Sequence, residues 1–111
     1  MEMPVEVTPQ EVRKRLDAGE QLHLIDVRQP GEYATARIEN SELIPMRTVP
    51  AELERLQAMA GSGALIVICH HGVRSLQVVD WLRQQGLAAC QSLAGGIDMW
   101  SLIIDSSVPR Y

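Results

Sequence analysis

The residues most able to do chemistry lie in one short stretch. Cys69 ends an apolar run, Ala64-Leu65-Ile66-Val67-Ile68-Cys69, and is followed by His70-His71-Gly72-Val73-Arg74-Ser75. A free thiol ionises near pH 8.5, and a helix N-terminus or a nearby cation favours the thiolate. This segment offers both. A strand that turns through a short loop into a helix can aim successive backbone N–H groups at one point, forming a nest for an anion. The positive end of the helix dipole faces the same point. Gly72 supplies a position free to take a positive φ, Arg74 a permanent charge, and Ser75 a hydroxyl that can donate a hydrogen bond or cap the helix. A cysteine on an apolar strand is ordinarily a core residue, but a core cysteine needs no Gly, Arg and Ser directly after it. The pattern therefore predicts a reactive thiolate at Cys69, with His70, His71, Gly72, Val73, Arg74 and Ser75 as the substrate-binding loop.

Two kinds of thiolate chemistry use such a cradle: attack on a phosphate ester, and carriage of a sulfur atom as a persulfide. Phosphatases of this general design use a loop one residue longer than the four residues that separate Cys69 from Arg74. A smaller ring of amides suits a single sulfur bonded to the thiolate better than a tetrahedral phosphate. Loop size thus favours sulfur transfer over a phosphatase or an arsenate reductase relative.

The elements that must position this loop can be read from the flanking sequence. Val5-Glu6-Val7 reads as a short edge strand. Thr8-Pro9-Gln10-Glu11 is a capping box with proline at the first helical position, opening a helix to about Ala18, with Gly19 as its stop. Leu22–Val27 is apolar on both faces, as a central parallel strand should be. Pro30–Ala36 has room for one or two helical turns, and Glu42–Pro45 reads as a short strand. A helix from about Thr48 to Met59 carries Leu53, Leu56 and Met59 or Ala60 on one stripe. After Gly61-Ser62-Gly63 comes the most apolar strand, Ala64–Cys69. Arg74–Gln85 reads as a helix ended by Gly86, Leu87–Leu93 as a strand, Ile97–Ile103 as a last short helix, and 105–111 as an irregular tail. Strands alternating with helices predict an α/β fold with a mainly parallel sheet and helices on both faces. Ligands in such folds bind beyond the carboxyl ends of the strands. Asp26-Val27-Arg28, the Cys69 loop and Leu93-Ala94-Gly95-Gly96 all fall there, so they are expected to converge.

The composition places bounds on function. The chain has 111 residues, 46% hydrophobic and 22% charged, which fits one soluble domain spanning 1–111, with a core over about 5–104. The net charge is −4, whereas a nucleic-acid partner would call for a basic face. Arg13-Lys14-Arg15 reads as a solvated helix surface. The first residues lack the basic and apolar regions of a signal peptide, and no apolar run approaches the ~20 residues that span a bilayer. With two cysteines and no export signal, free thiols and a cytoplasmic setting are expected. Cys90, Trp81 and Trp100 read as packing residues and His23 as structural. Adjacent histidines point apart and no finger-like spacing occurs, so no metal site is expected. The Gly95-Gly96 pair alone is too little for a nucleotide site.

Taken together, Leu24-Ile25-Asp26-Val27-Arg28 with Glu32-Tyr33, then Cys69-His-His-Gly-Val-Arg74-Ser75, then Leu93-Ala94-Gly95-Gly96-Ile97 with Trp100, make the chain resemble a single-domain rhodanese-like sulfurtransferase along nearly its whole length. The resemblance implies that Cys69 takes the outer sulfur of an anionic donor such as thiosulfate. The resulting persulfide would pass to cyanide or a thiol, with no cofactor beyond that covalent intermediate. It also allows a sulfur-relay role, in which a partner protein supplies the persulfide. Asp26 and Arg28 match the family's Asp-x-Arg and are expected to pair near the loop, in a supporting role. One segment departs. Many members have Gly-His-Ile-Pro-Gly-Ala before the third strand, where this chain has Ala36-Arg37-Ile38-Glu39-Asn40-Ser41 and keeps only Ile38.

Overall fold

The computed structural model describes residues 3–111. Five strands and five α-helices alternate along it: β1 (Glu6–Val7), α1 (Pro9–Asp17), β2 (Leu22–Asp26), α2 (Pro30–Thr35), β3 (Glu42–Leu43), α3 (Leu53–Ala60), β4 (Ala64–Ile68), α4 (Val73–Gln84), β5 (Cys90–Leu93) and α5 (Gly96–Ile103). The sheet order is β1-β5-β4-β2-β3, and every neighbouring pair is parallel. The α/β reading holds, and the sheet is wholly rather than mainly parallel. The tail beyond α5 forms only turns and irregular chain.

Local signals explain most boundaries. The Thr8 hydroxyl accepts the Glu11 N–H at 3.1 Å and opens α1. Pro30 starts α2 behind a capping box between Gln29 and Glu32. The helix expected from Thr48 instead begins as a 3₁₀ segment, Met46–Glu52, and becomes α-helical at Leu53. Pro50 lies inside that segment, and lacking an N–H it cannot contribute to a regular α ladder.

Both faces of the sheet are covered, which is why β4 is a continuous apolar run. Side chains alternate along a strand. Leu65, Val67 and Cys69 accordingly join one core with Val49, Leu56, Val78, Val79 and Leu82, beneath α3 and α4. Ile66 and Ile68 join the other with Val12, Ile97 and Trp100, beneath α1 and α5. Trp81 packs against the first core, and Cys90 lies within it. His23 is half-buried and lies 3.0 Å from the Ser62 hydroxyl. Arg13 and Lys14 of the basic triplet are exposed as expected, whereas Arg15 is half-buried. Arg15 turns back to Glu20 and to Gln91 at 2.8 Å, and Arg13 lies over the Trp100 ring. No helix among the described residues is long and apolar enough to cross a membrane.

Candidate active site

Cys69 follows the last residue of β4 and faces the α4 side of the sheet, with only 1% of the residue exposed. A reagent must therefore reach its sulfur through the loop. The Gly72 N–H donates to Cys69 Sγ at 3.0 Å. On the other side, Sγ lies 3.3 Å from Ser75 Oγ, and Ser75 is fully buried in the first turn of α4. Gly72 precedes that helix with φ +100°. A Cβ there would stand 3.3 Å from the Gly95 backbone nitrogen, so the residue that supplies the key amide is held to glycine by both conformation and space.

The loop's own carbonyls are turned away from the sulfur by a second helix. The first amides of α5 satisfy them: Ile97 N–H donates to the Cys69 carbonyl at 2.8 Å and Asp98 N–H to the His70 carbonyl at 3.1 Å. The approach is close enough that a Cβ on Gly96 would come within 2.4 Å of both carbonyl oxygens. The Gly95-Gly96 pair is thus a contact surface for the Cys69 loop, and its helix N-terminus is spent on carbonyls rather than on a ligand.

β2 delivers the third component. Val27 N–H bonds the Ile68 carbonyl at 2.9 Å, which places Asp26 and Arg28 beside the start of the loop. Their side chains are fully buried and joined in a two-point ion pair, Arg28 Nε to Asp26 Oδ1 at 2.9 Å and Nη2 to Oδ2 at 2.7 Å. Burial opposes the Arg28 charge, but the hydrogen bonds that Arg28 donates to Asp26 and Tyr111 outweigh it and raise the arginine pKa. Arg28 Nη2 also donates to the Ala36 carbonyl and Nη1 to the Tyr111 hydroxyl. The expected pair exists, and it also fixes the segment that departs from the family pattern.

Arg74 brings its permanent charge to the loop in an ion pair with Glu32. Its guanidinium is clamped by Glu32 of α2, Nη1 to Oε1 at 2.7 Å and Nη2 to Oε2 at 3.0 Å. The Arg74 hydrogen bonds hold Glu32 at a pKa of about 2, and the same bonds, together with the Glu32 charge, raise that of Arg74 against the cost of its burial. Tyr111 joins this clamp to the buried pair. Its hydroxyl lies 2.8 Å from Arg28 Nη1 and 2.8 Å from Glu32 Oε2.

The two histidines form a stack above the loop rather than a pair of ligands pointing apart. The His70 ring lies 3.9 Å from that of His71 and 4.0 Å from that of Tyr111. His70 Nε2 is buried without a hydrogen-bond partner, whereas His71 is exposed, 3.7 Å from Asp98. His70, His71 and Asp98 can bring one ligand atom each within 4.8 Å of one another. Asp98 is already engaged by Arg110 at 2.8 Å, so a cation there would compete with that guanidinium. Val73 projects from the loop with 66% exposure, forming an apolar rim rather than a wall of the sulfur site.

Sequence reasoning missed three participants. Glu32 was noted only as part of the resemblance, although an acidic residue near the carboxyl end of a neighbouring strand is the natural partner for a loop arginine. Tyr111 sits in the irregular tail, which no periodicity describes. Its tail is nevertheless held by the buried Val108 and by the Arg110–Asp98 pair. Ser92 lies fully buried on β5 with its hydroxyl 2.7 Å from that of Ser75. The signal for it was present, as a small polar residue at a core-facing position of a buried strand.

Comparison with known proteins agrees with this geometry. Residues 8–102 match the family model "Rhodanese-like domain". The chain is 35% identical over 109 residues to "Adenylyltransferase and sulfurtransferase MOCS3-2" of Zea mays, covering 95% of this chain but only 23% of that protein. It is 30% identical over 94 residues to "Thiosulfate sulfurtransferase GlpE" of Pseudomonas paraeruginosa, covering 85% of this chain and 81% of that one. The crystal structure of a rhodanese-like domain protein from Staphylococcus aureus superposes with a TM-score of 0.77 at 28% identity, covering 97% of this chain and 99% of the other. The chain therefore belongs to the rhodanese-like domain family, and the Zea mays and Pseudomonas relatives are both named as sulfurtransferases.

Proposed function

We propose that this protein transfers sulfane sulfur through a persulfide on Cys69. The observation that carries this reading is the convergence of the Gly72 amide and the Ser75 hydroxyl on a single sulfur atom at the end of β4. Donors placed there stabilise an anion on Sγ or on one further sulfur bonded to it. In the first half-reaction the Cys69 thiolate attacks the outer sulfur of thiosulfate. A sulfur–sulfur bond to Cys69 forms, the bond to the sulfonate sulfur breaks, and sulfite leaves with the electron pair. In the second, cyanide or a thiolate attacks the outer sulfur, the Cys69 thiolate departs, and thiocyanate or a persulfide is released. A thiolate already formed needs no general base, so His70 and His71 take no proton in this scheme. The name of the Pseudomonas relative supports thiosulfate as a donor. The free state of both cysteines suits a reducing, cytoplasmic compartment.

A second reading is favoured by one specific contact. Glu32 balances the Arg74 charge that would otherwise draw in a dianion. A protein persulfide needs no such attraction, and on this reading Cys69 receives its sulfur from a partner and passes it on. The chain spans about a quarter of the length of the Zea mays relatives it matches, and the fusion of a sulfurtransferase to another activity in those proteins is compatible with such a relay. Steady-state turnover of thiosulfate with cyanide separates the two. Saturable thiocyanate formation that disappears in Cys69→Ser supports the enzyme reading. Sulfur uptake from a protein persulfide with negligible thiosulfate turnover supports the relay, and turnover retained in Cys69→Ser contradicts both.

A further inference from the structure

Ser92 is a buried polar group that the transfer scheme leaves without a role. Alternation along β5 puts it on the same side as Cys90, facing α4, where an aliphatic side chain would add packing. It is fully buried, and its Oγ lies 2.7 Å from Ser75 Oγ, which lies 3.3 Å from Cys69 Sγ. The three atoms make a chain in which each hydroxyl can donate one hydrogen and accept others, while an anionic sulfur can only accept.

We propose that Ser92 is a positioning residue for the sulfur nucleophile: it keeps the Ser75 hydroxyl turned toward Cys69 whenever that sulfur is an anion. The inference rests on Cys69 being the sulfur-bearing nucleophile. With a neutral thiol, Cys69 donates to Ser75, Ser75 donates to Ser92, and the Ser92 hydrogen has no acceptor further along the chain. When the thiol proton leaves to solvent, both hydroxyls rotate. Ser75 then donates to sulfur and Ser92 donates to Ser75, so every hydrogen on the chain is used. No proton leaves either serine. Hydrogen bonds in such a chain reinforce one another, and the charge-assisted bond from Ser75 to an anionic sulfur gains more from the Ser92 donor behind it than the weak S–H donor gains in the neutral arrangement. Ser92 therefore shifts the balance toward the anionic, reactive sulfur, both as thiolate and as persulfide.

The test is the rate of alkylation of Cys69 by iodoacetamide across pH, located by peptide mass, in the full chain and in Ser92→Ala, Ser75→Ala, the double variant and Ser92→Thr. Ser92→Ala is expected to react about threefold to tenfold more slowly on the rising part of the profile, with the profile displaced to higher pH and the plateau rate retained. Ser92→Thr, which keeps the hydroxyl, is expected to restore part of the displacement. In the Ser75→Ala background, Ser92→Ala should add no further slowing, because the link it acts through is gone. A merely structural role would lower thermal stability without displacing the profile. A Ser92→Ala profile that overlies the wild type, or equal slowing in both backgrounds, overturns the assignment of Ser92 alone. A wild-type protein that takes up no sulfur from thiosulfate or from a protein persulfide overturns it together with the reading on which it rests.

Discussion

The two cysteines of this chain share a core and differ in what meets their sulfur. Cys69 and Cys90 are both buried and both pack beneath α3 and α4. Cys69 Sγ receives the Gly72 amide and lies against the Ser75 hydroxyl, groups that can donate to an anion. Cys90 Sγ instead faces two carbonyls, Leu87 at 3.3 Å and Val79 at 3.9 Å, groups that can only accept from a thiol. Burial pushes the Cys90 pKa up, and Arg83 only partly offsets it. Depth does not distinguish the two cysteines; the polarity of the surrounding hydrogen bonds does.

The comparison breaks most sharply at the sulfurs themselves. Cys69→Ser is expected to abolish sulfur transfer, a loss of at least about a thousandfold, measured as thiocyanate formation or transfer to a thiol. The next largest effect should come from the donor side. Gly72→Ala places a side chain at φ +100° and against the Gly95 backbone, so the amide must swing away from Sγ. Sulfur uptake should fall roughly tenfold to a hundredfold, with the second cysteine unaffected. At Cys90 the outcome should invert: Cys90→Ala is expected to cost about 1–2 kcal/mol of stability, a few degrees in Tm, while transfer per folded molecule stays within about twofold. Equal loss of transfer in the Cys69 and Cys90 variants would erase the distinction.

The smallest expected effect concerns charge. The carboxyl of Glu32 is held near pKa 2 by Arg74, below its ordinary 4.5. A depressed carboxylate stabilises the fold fully above its unfolded pKa and loses that contribution as pH falls through the folded one. The Tm difference between wild type and Glu32→Gln should be steady above about pH 4.5 and shrink as the pH approaches about 2. A difference that stays constant across this window would mean that the clamp contributes nothing through its charge.

How much of this could be read in advance follows from the range of each interaction. The strands that carry the site, the helix starts at Thr8 and Pro30, and the Cys69 loop are set by local sequence: apolar runs, caps and a glycine at a positive φ. The convergence of β2, β4 and β5 followed from the parallel sheet, because their carboxyl ends must share one edge. The clamp on Arg74 and the Tyr111 bridge were not legible, since they join residues 42 and 79 positions from Glu32. Neither lies on an element whose periodicity aims it at the loop. The 3₁₀ segment before α3 is intermediate, because Pro50 was visible but its effect depends on how the preceding turn packs. Ser92 shows the same limit from the other side: its polarity stood out on a buried strand, but its partner sits on a different helix.

The central claim is that sulfur is carried on Cys69 and on no other residue. Intact and peptide mass spectrometry after incubation with thiosulfate, or with a protein persulfide, tests it most directly. A single added sulfur atom is expected on the peptide containing Cys69, released by an excess of thiol and absent from Cys69→Ser. A stable adduct on Cys90, or a protein that gains no sulfur from either donor, would contradict it.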